Sequence, residues 1–169
     1  SGGGRITVRV AGQVHELHCF DISREMLKRA RAATKEHNNV SFHLLSNPQL
    51  GPEFRERFDF LFAFDVFVHF NMKLVWEYFR EISAALKPGG RAFLHTTNLA
   101  APGGWENFCA TEGGHPSDHY FLSPEIIDIF AARSGLRIIK RSEPDPADFY
   151  SNRDYLFVLG KNREERLSR

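Results

Sequence analysis

Residues 58–64, Phe-Asp-Phe-Leu-Phe-Ala-Phe, restrict the architecture more than any other stretch of the chain. Only Asp59 interrupts the apolar run. A strand with one wet face alternates apolar and polar residues, whereas a run this dense suits the middle of a parallel sheet covered on both faces. Parallel strands need long crossovers, usually helical, and the flanking sequence supplies them. Upstream, residues 14–20 form a strand leading to Asp21, and Ser23 is placed to N-cap a helix from 24 to about 37, with Glu25 in its first turn. Leu27, Ala30 and Thr34 give that helix one modest face. Asn38-Asn39 is a turn pair, residues 40–45 read as a second strand, and Ser46-Asn47-Pro48 as the loop at its end.

Downstream, Val75, Tyr78, Phe79, Ile82 and Leu86 recur at helical spacing, and Lys87-Pro88-Gly89-Gly90 stops that helix with a sharp turn. Residues 91–97 follow as a strand. The segment 98–121, rich in Gly, Ala and Pro, reads as a long loop, of the kind that serves as a lid or an insertion. Ser123-Pro124-Glu125 starts a helix that Gly135 closes. Residues 136–141 and 154–161 are strands joined by a loop, 142–153, too short for a crossover helix, so they should be antiparallel. Residues 5–12 are ambiguous between strand and helix. The expectation is an α/β fold in one domain, residues 1–161, with a charged tail, 162–169.

Charge and cysteine content narrow the partners. Twenty-two Lys and Arg against 21 Asp and Glu leave a formal charge of +1 in 169 residues, so no strong field draws the chain to nucleic acid or a membrane surface. Cys19 and Cys109 lack the spacing of a disulfide framework or a zinc site, and a reducing, cytoplasmic location is expected. No apolar run reaches the roughly 20 residues that span a bilayer.

Asp21 is the leading functional residue. An acidic side chain at a strand end, roughly 20 residues after a Gly-rich turn, is what an α/β nucleotide site needs, because its two oxygens can accept both ribose hydroxyls. The glycines here are Gly2, Gly3 and Gly4, which read equally well as a flexible linker.

Five stretches in register resemble the class I S-adenosylmethionine-dependent methyltransferases of the small-molecule type. They are Gly-x-Gly-Arg at 2–5, Phe-Asp-Ile-Ser-Arg-Glu-Met-Leu at 20–27, the Phe-Asp strand running from 58 to 69, Leu-Lys-Pro-Gly-Gly at 86–90, and the closing antiparallel pair. The resemblance implies a Rossmann-like, mostly parallel sheet with helices on both faces and makes residues 5–12 the first helix. It implies S-adenosylmethionine as cofactor: Gly2 and Gly4 beside its methionine part, whose carboxylate can sit near the helix N-terminus, Asp21 on the ribose, Ile22 and Met26 against the adenine, Ser46 or Asn47 at its edge, and Phe64 and Asp65 bordering the sulfonium. The apolar members of this set would serve equally well as core. The family also places a hydrophobic strand ahead of the glycine loop, and this chain begins inside that loop. The N-terminal strand of the fold is therefore missing, and the expectation is a truncated fragment, a homo-oligomer or a strand-supplying partner that covers the exposed edges.

Methyl transfer asks mainly for alignment and exclusion of water, with a base only where the acceptor must lose a proton. His69, His115 and His119 are the candidate catalytic residues, each also readable as a helix-capping or solvated side chain. His95 with His115 and His119 can be drawn as a metal site, but a His-x₃-His in a loop lacks helical spacing, and no metal is expected. Trp105, Tyr120 and Tyr150 are candidate walls for a small-molecule acceptor, and Arg153 could meet an anionic group of the substrate or a surface carboxylate. The leading function is methyl transfer to a hydroxyl or amine. A non-catalytic binding module of the same fold and a nicotinamide-dependent oxidoreductase are the alternatives.

Overall fold

Residues 5–12, whose local pattern allows either strand or helix, are helical in the computed structural model: α1 (Thr7–Val10) runs into a 3-10 turn, Ala11–Gln13. The structure describes residues 2–111 and 119–163. His115 and the chain beyond Arg163 lie outside the described residues. The chain divides into two compact units, Ser1–Gln49 and Leu50–Arg169.

In the first unit, β1 (Leu17–Asp21) pairs in parallel with β2 (Val40–Leu44), in a register running from Leu17 opposite Val40 to Asp21 opposite Leu44. Between them lies α2 (Arg24–Ala33). It starts where expected because the Ser23 hydroxyl accepts the Met26 N–H at 3.2 Å. It ends a few residues before the expected 37, at Thr34, whose hydroxyl turns back onto the Ala30 carbonyl at 2.9 Å. Leu27, Ala30 and Thr34 are all buried, so the modest apolar face is the one that packs. Gly4, at φ +90°, lies against this face: a Cβ there would sit 2.8 Å from Ala30 Cα. Only glycine combines that backbone angle with that approach.

The second unit is a four-stranded sheet in the order β3 (Phe58–Ala63), β4 (Leu86–Thr97), β6 (Asp154–Lys161), β5 (Leu136–Arg141). β3 and β4 are parallel, and β6 runs antiparallel to both its neighbours, as the short 142–153 connection requires. One face is covered by α3 (Met72–Ala85), capped by the Asn71 side chain on Leu74 N–H at 2.9 Å, and by α5 (Pro124–Arg133). Val75, Phe79 and Ile82 of α3 meet Ile127 and Ala131 of α5 over Leu94, Phe157 and Leu159. Ser123 precedes α5 in extended conformation, but its hydroxyl donates to the Glu125 carboxylate and leaves the helix backbone without a side-chain cap. Gly135 ends the turn at φ +75°.

Four expectations are corrected. The 58–64 run does not sit in the middle of a covered sheet: among the described residues β3 pairs with β4 alone, and Phe60 and Phe62 are 54% and 39% exposed. α3 and α5 cover the opposite face, which carries Leu61 and Ala63. Lys87-Pro88-Gly89-Gly90 does not form a free turn after α3. The helix gives way directly to β4 at Leu86, and the four residues bulge out of that strand, since Phe58 faces Leu86 while Phe60 faces Arg91. Segment 98–121 holds a helix, α4 (Pro102–Ala110), despite its two glycines. Gly104 is there for packing, because a Cβ would collide with the Asn98 carbonyl and lie 2.8 Å from that of Arg153. The 142–153 connection likewise contains a short helix, α6 (Phe149–Arg153), started by Asp148 on Ser151 N–H at 2.7 Å.

Candidate active site

Asp21 ends β1, the place at which an α/β sheet presents residues to a ligand. Its Oδ1 accepts the Ser23 N–H at 2.9 Å and its Oδ2 the Gly2 N–H at 2.8 Å. Burial by itself would raise the carboxyl. Hydrogen bonds, that from the Ser23 N–H foremost, outweigh it and hold Asp21 below the ordinary aspartate range, as an anion at neutral pH. The glycine turn thus hangs on the carboxylate that the sequence singles out. Gly2 has φ +54° and open space around its Cα, which fits close approach by a ligand, whereas Gly4 is fixed by its contact with α2.

Ile22 is not a core residue. It is 72% exposed, although it directly follows the carboxylate. Met26 is half-buried on α2. Ser46 is exposed just past β2, and Asn47 spends its Oδ1 on the Gln49 N–H at 2.9 Å, a local turn contact. α1 is a single turn, so little dipole is available at its start for a carboxylate.

In the second unit, Phe64 and Asp65 follow β3. Asp65 is exposed and holds φ +58°, a left-handed angle sparsely used by residues other than glycine. Its N–H donates to His95 Nδ1 at 3.1 Å. The ring proton of His95 therefore sits on Nε2, which lies 3.0 Å from Asp154 Oδ2 as a charge contact without the alignment of a hydrogen bond. His95 and Asp154 are both 0% exposed. Arg153 closes the group, giving Nε to both Asp154 oxygens at 3.0 Å and Nη2 to one at 2.6 Å. Burial would raise the Asp154 carboxyl, but the His95 and Arg153 contacts hold it below its ordinary value. The carboxylate that Arg153 meets is not a surface one but the buried Asp154. Nor is His95 free to ligate a metal, since both its nitrogens face protein partners.

Aromatic rings gather on this group. Phe64 stacks on His95 at 4.6 Å, and Tyr150 stands edge-on to both, at 5.0 and 5.6 Å. His69 and His119 face each other at 5.3 Å, and Asn107 of α4 meets His119 Nδ1 at 3.3 Å. Burial pushes His119 below the ordinary histidine range, the Arg153 and His69 charges push the same way, and Asp154 and Asp65 oppose them. His69 does not cap α3, a task performed by Asn71. Trp105 pairs with Phe108 at 5.6 Å, apart from this ring cluster, and Tyr120 is exposed with its N–H on the Val68 carbonyl. Asp154 and Asn71 carried no signal of their own in the sequence; only the start of a closing strand and an Asn ahead of an apolar helix pointed to them.

A family model described as a methyltransferase domain matches residues 1–90. No curated protein matches the chain in sequence. Among solved structures, the PH0226 protein from Pyrococcus horikoshii OT3 superposes with a TM-score of 0.73 at 19% identity, over 95% of this chain and 78% of that one. Magnesium protoporphyrin IX methyltransferase from Synechocystis PCC 6803, solved with bound SAH, gives 0.73 at 16%, over 95% and 71%. The N-methyltransferase NodS from Bradyrhizobium japonicum WM9 gives 0.69 at 15%, over 96% and 82%. With the Asp21 turn, the parallel strand pairs and the antiparallel closing strands in the order already described, the chain belongs to the methyltransferase-domain family and has the class I S-adenosylmethionine-dependent fold.

Proposed function

We infer that the chain transfers a methyl group from S-adenosylmethionine to a hydroxyl or amine of a small molecule. The observation that carries this reading is the Asp21 carboxylate, oriented by two backbone N–H groups beside an exposed Ile22. An ionised carboxylate is an acceptor-only group, the kind of partner that ribose hydroxyls require. Ile22 and Met26 offer apolar surface of the kind a purine ring needs. The orientation exists before any ligand arrives, which lowers the ordering cost of binding. Family membership supports the same cofactor, as do the similar structures solved with SAH bound.

When bound, S-adenosylmethionine supplies an electrophilic methyl carbon on a sulfonium. The protein aligns an acceptor lone pair with that carbon and keeps water out. A neutral amine needs nothing more. A hydroxyl must also lose a proton, and His119, whose imidazole is held neutral at pH 7, is the group we assign to take it. For Nε2 to take that proton, Nδ1 must carry the ring hydrogen and donate it to the Asn107 amide oxygen, which requires the amide turned over about its Cβ–Cγ bond.

Calorimetric titration with S-adenosylhomocysteine tests the reading. The native protein is expected to bind it, and Asp21→Ala to weaken binding by about 10- to 100-fold, the worth of charge-assisted hydrogen bonds. A folded native protein that gives no heat would sink the enzyme reading in favour of a non-catalytic module. Uptake of a nicotinamide dinucleotide in its place would favour the oxidoreductase.

A further inference from the structure

His95 is the most buried imidazole of its unit and has no part in the proton transfer assigned above. Its surroundings are costly to assemble. A carboxylate and a guanidinium have been taken largely out of water to hold one ring, and such pairs seldom add net stability over an apolar replacement. The ring in turn holds a single backbone amide, that of Asp65, at the point where β3 ends in a left-handed residue. The only other described non-glycine residue at positive φ, Glu56, gives its N–H to the Ala84 carbonyl, an ordinary backbone contact. At Asp65 a side chain from the neighbouring strand does the holding. His95 and Asp154 reach each other because they lie on one face of adjacent antiparallel strands, His95 opposite Leu156 and Thr97 opposite Asp154. Phe64 and Tyr150 pack on the ring and leave its plane little freedom.

We propose that His95 is a positioning residue for methyl transfer: held against Asp154 and Arg153, it fixes the left-handed Asp65 turn at the end of β3, the place at which an α/β sheet presents residues to a ligand. The proposal rests on the methyl-transfer reading above. His95 touches no reacting atom and acts only through the Asp65 amide.

Two substitutions separate its contacts. In His95→Asn the amide oxygen falls near the place of Nδ1, so it can accept from Asp65 while Asp154 keeps Arg153 and loses only the ring nitrogen. In His95→Gln the longer amide reaches the place of Nε2 and donates to Asp154, while the Asp65 N–H loses its acceptor. Titrated with S-adenosylhomocysteine, His95→Asn is expected to stay within about threefold of the native protein and His95→Gln to fall by about tenfold, the worth of one hydrogen bond at the site. Equal affinities in both variants, or a parallel loss that tracks their melting temperatures, would reduce His95 to a core residue and overturn the proposal. A second measurement needs neither variant to fold nor any ligand. Nitrogen-15 spectra of the native protein should show a single His95 tautomer, protonated at Nε2, with a scalar coupling across the hydrogen bond from the Asp65 amide to Nδ1. Absence of that coupling overturns the proposal even where the ligand binds. A native protein that shows the coupling but takes up no ligand supports the positioning contact and removes the cofactor reading instead.

Discussion

Asp154→Ala is expected to lower the unfolding free energy at pH 7 by about 3–5 kcal/mol, the cost of removing one partner from a buried ion pair. The variant leaves Arg153, only 21% exposed at its side chain, without its carboxylate, and leaves His95 Nε2–H facing a void. At roughly 2–4 °C per kcal/mol for a chain of this length, the melting temperature should drop by about 6–20 °C. Asp154→Asn keeps the shape and one acceptor oxygen and should lose less. The effect should also depend on acid. The native carboxyl titrates below its ordinary value, so its contribution is complete above the unfolded value of about 4 and fades as pH falls through the lower, native one. Urea unfolding of native and variant protein at stepped pH should therefore show a gap that is constant near neutrality and narrows below about pH 4. A gap that stays constant down to pH 3 would show that shape, and not charge, makes Asp154 matter.

Gly104→Ala is the second large effect, expected to cost about 3 kcal/mol, the upper part of the usual range for overpacking. The obstruction consists of backbone atoms on two sides, the carbonyls of Asn98 and Arg153, and neither can rotate away as a side chain would. Both belong to the turns that leave β4 and enter β6. The strain should therefore reach Asp154 and His95 as well as α4. Gly135→Ala is the contrasting control: it sits at positive φ, which Gly104 does not, and nothing lies within 4 Å of its added Cβ, so it should cost only about 1–2 kcal/mol, the backbone penalty alone. Equal losses in the two variants would refute the packing argument.

Local chemistry made much of this architecture readable in advance. Ser23 caps α2, the spacing of Val75, Phe79 and Ile82 matches the buried face of α3, and a short link between the last two strands left antiparallel pairing as the sound choice. Asp21 was visible because a strand end and a glycine turn both point to it. What escaped was set by contacts between distant residues. Gly103-Gly104 has the composition of a loop, and only the neighbouring carbonyls explain two glycines inside a helix. His95 and Asp154 belong to different strands, and no period of a single sequence joins them. The 58–64 run misled for a related reason, since apolar density reports what a strand could bury, and here one face of β3 stays open.

That open strand has a bearing on how the protein behaves at high concentration. Among the described residues β3 is the terminal strand of its sheet, and its two exposed phenyl rings are features that invite a foreign strand to dock. Yet the same strand carries Asp59, 83% exposed and bonded to Lys87 at 2.8 Å. Any incoming chain would have to strip water from that ion pair before its ladder could close, so a single charged residue in an otherwise greasy segment works as a gatekeeper against fibrous self-association.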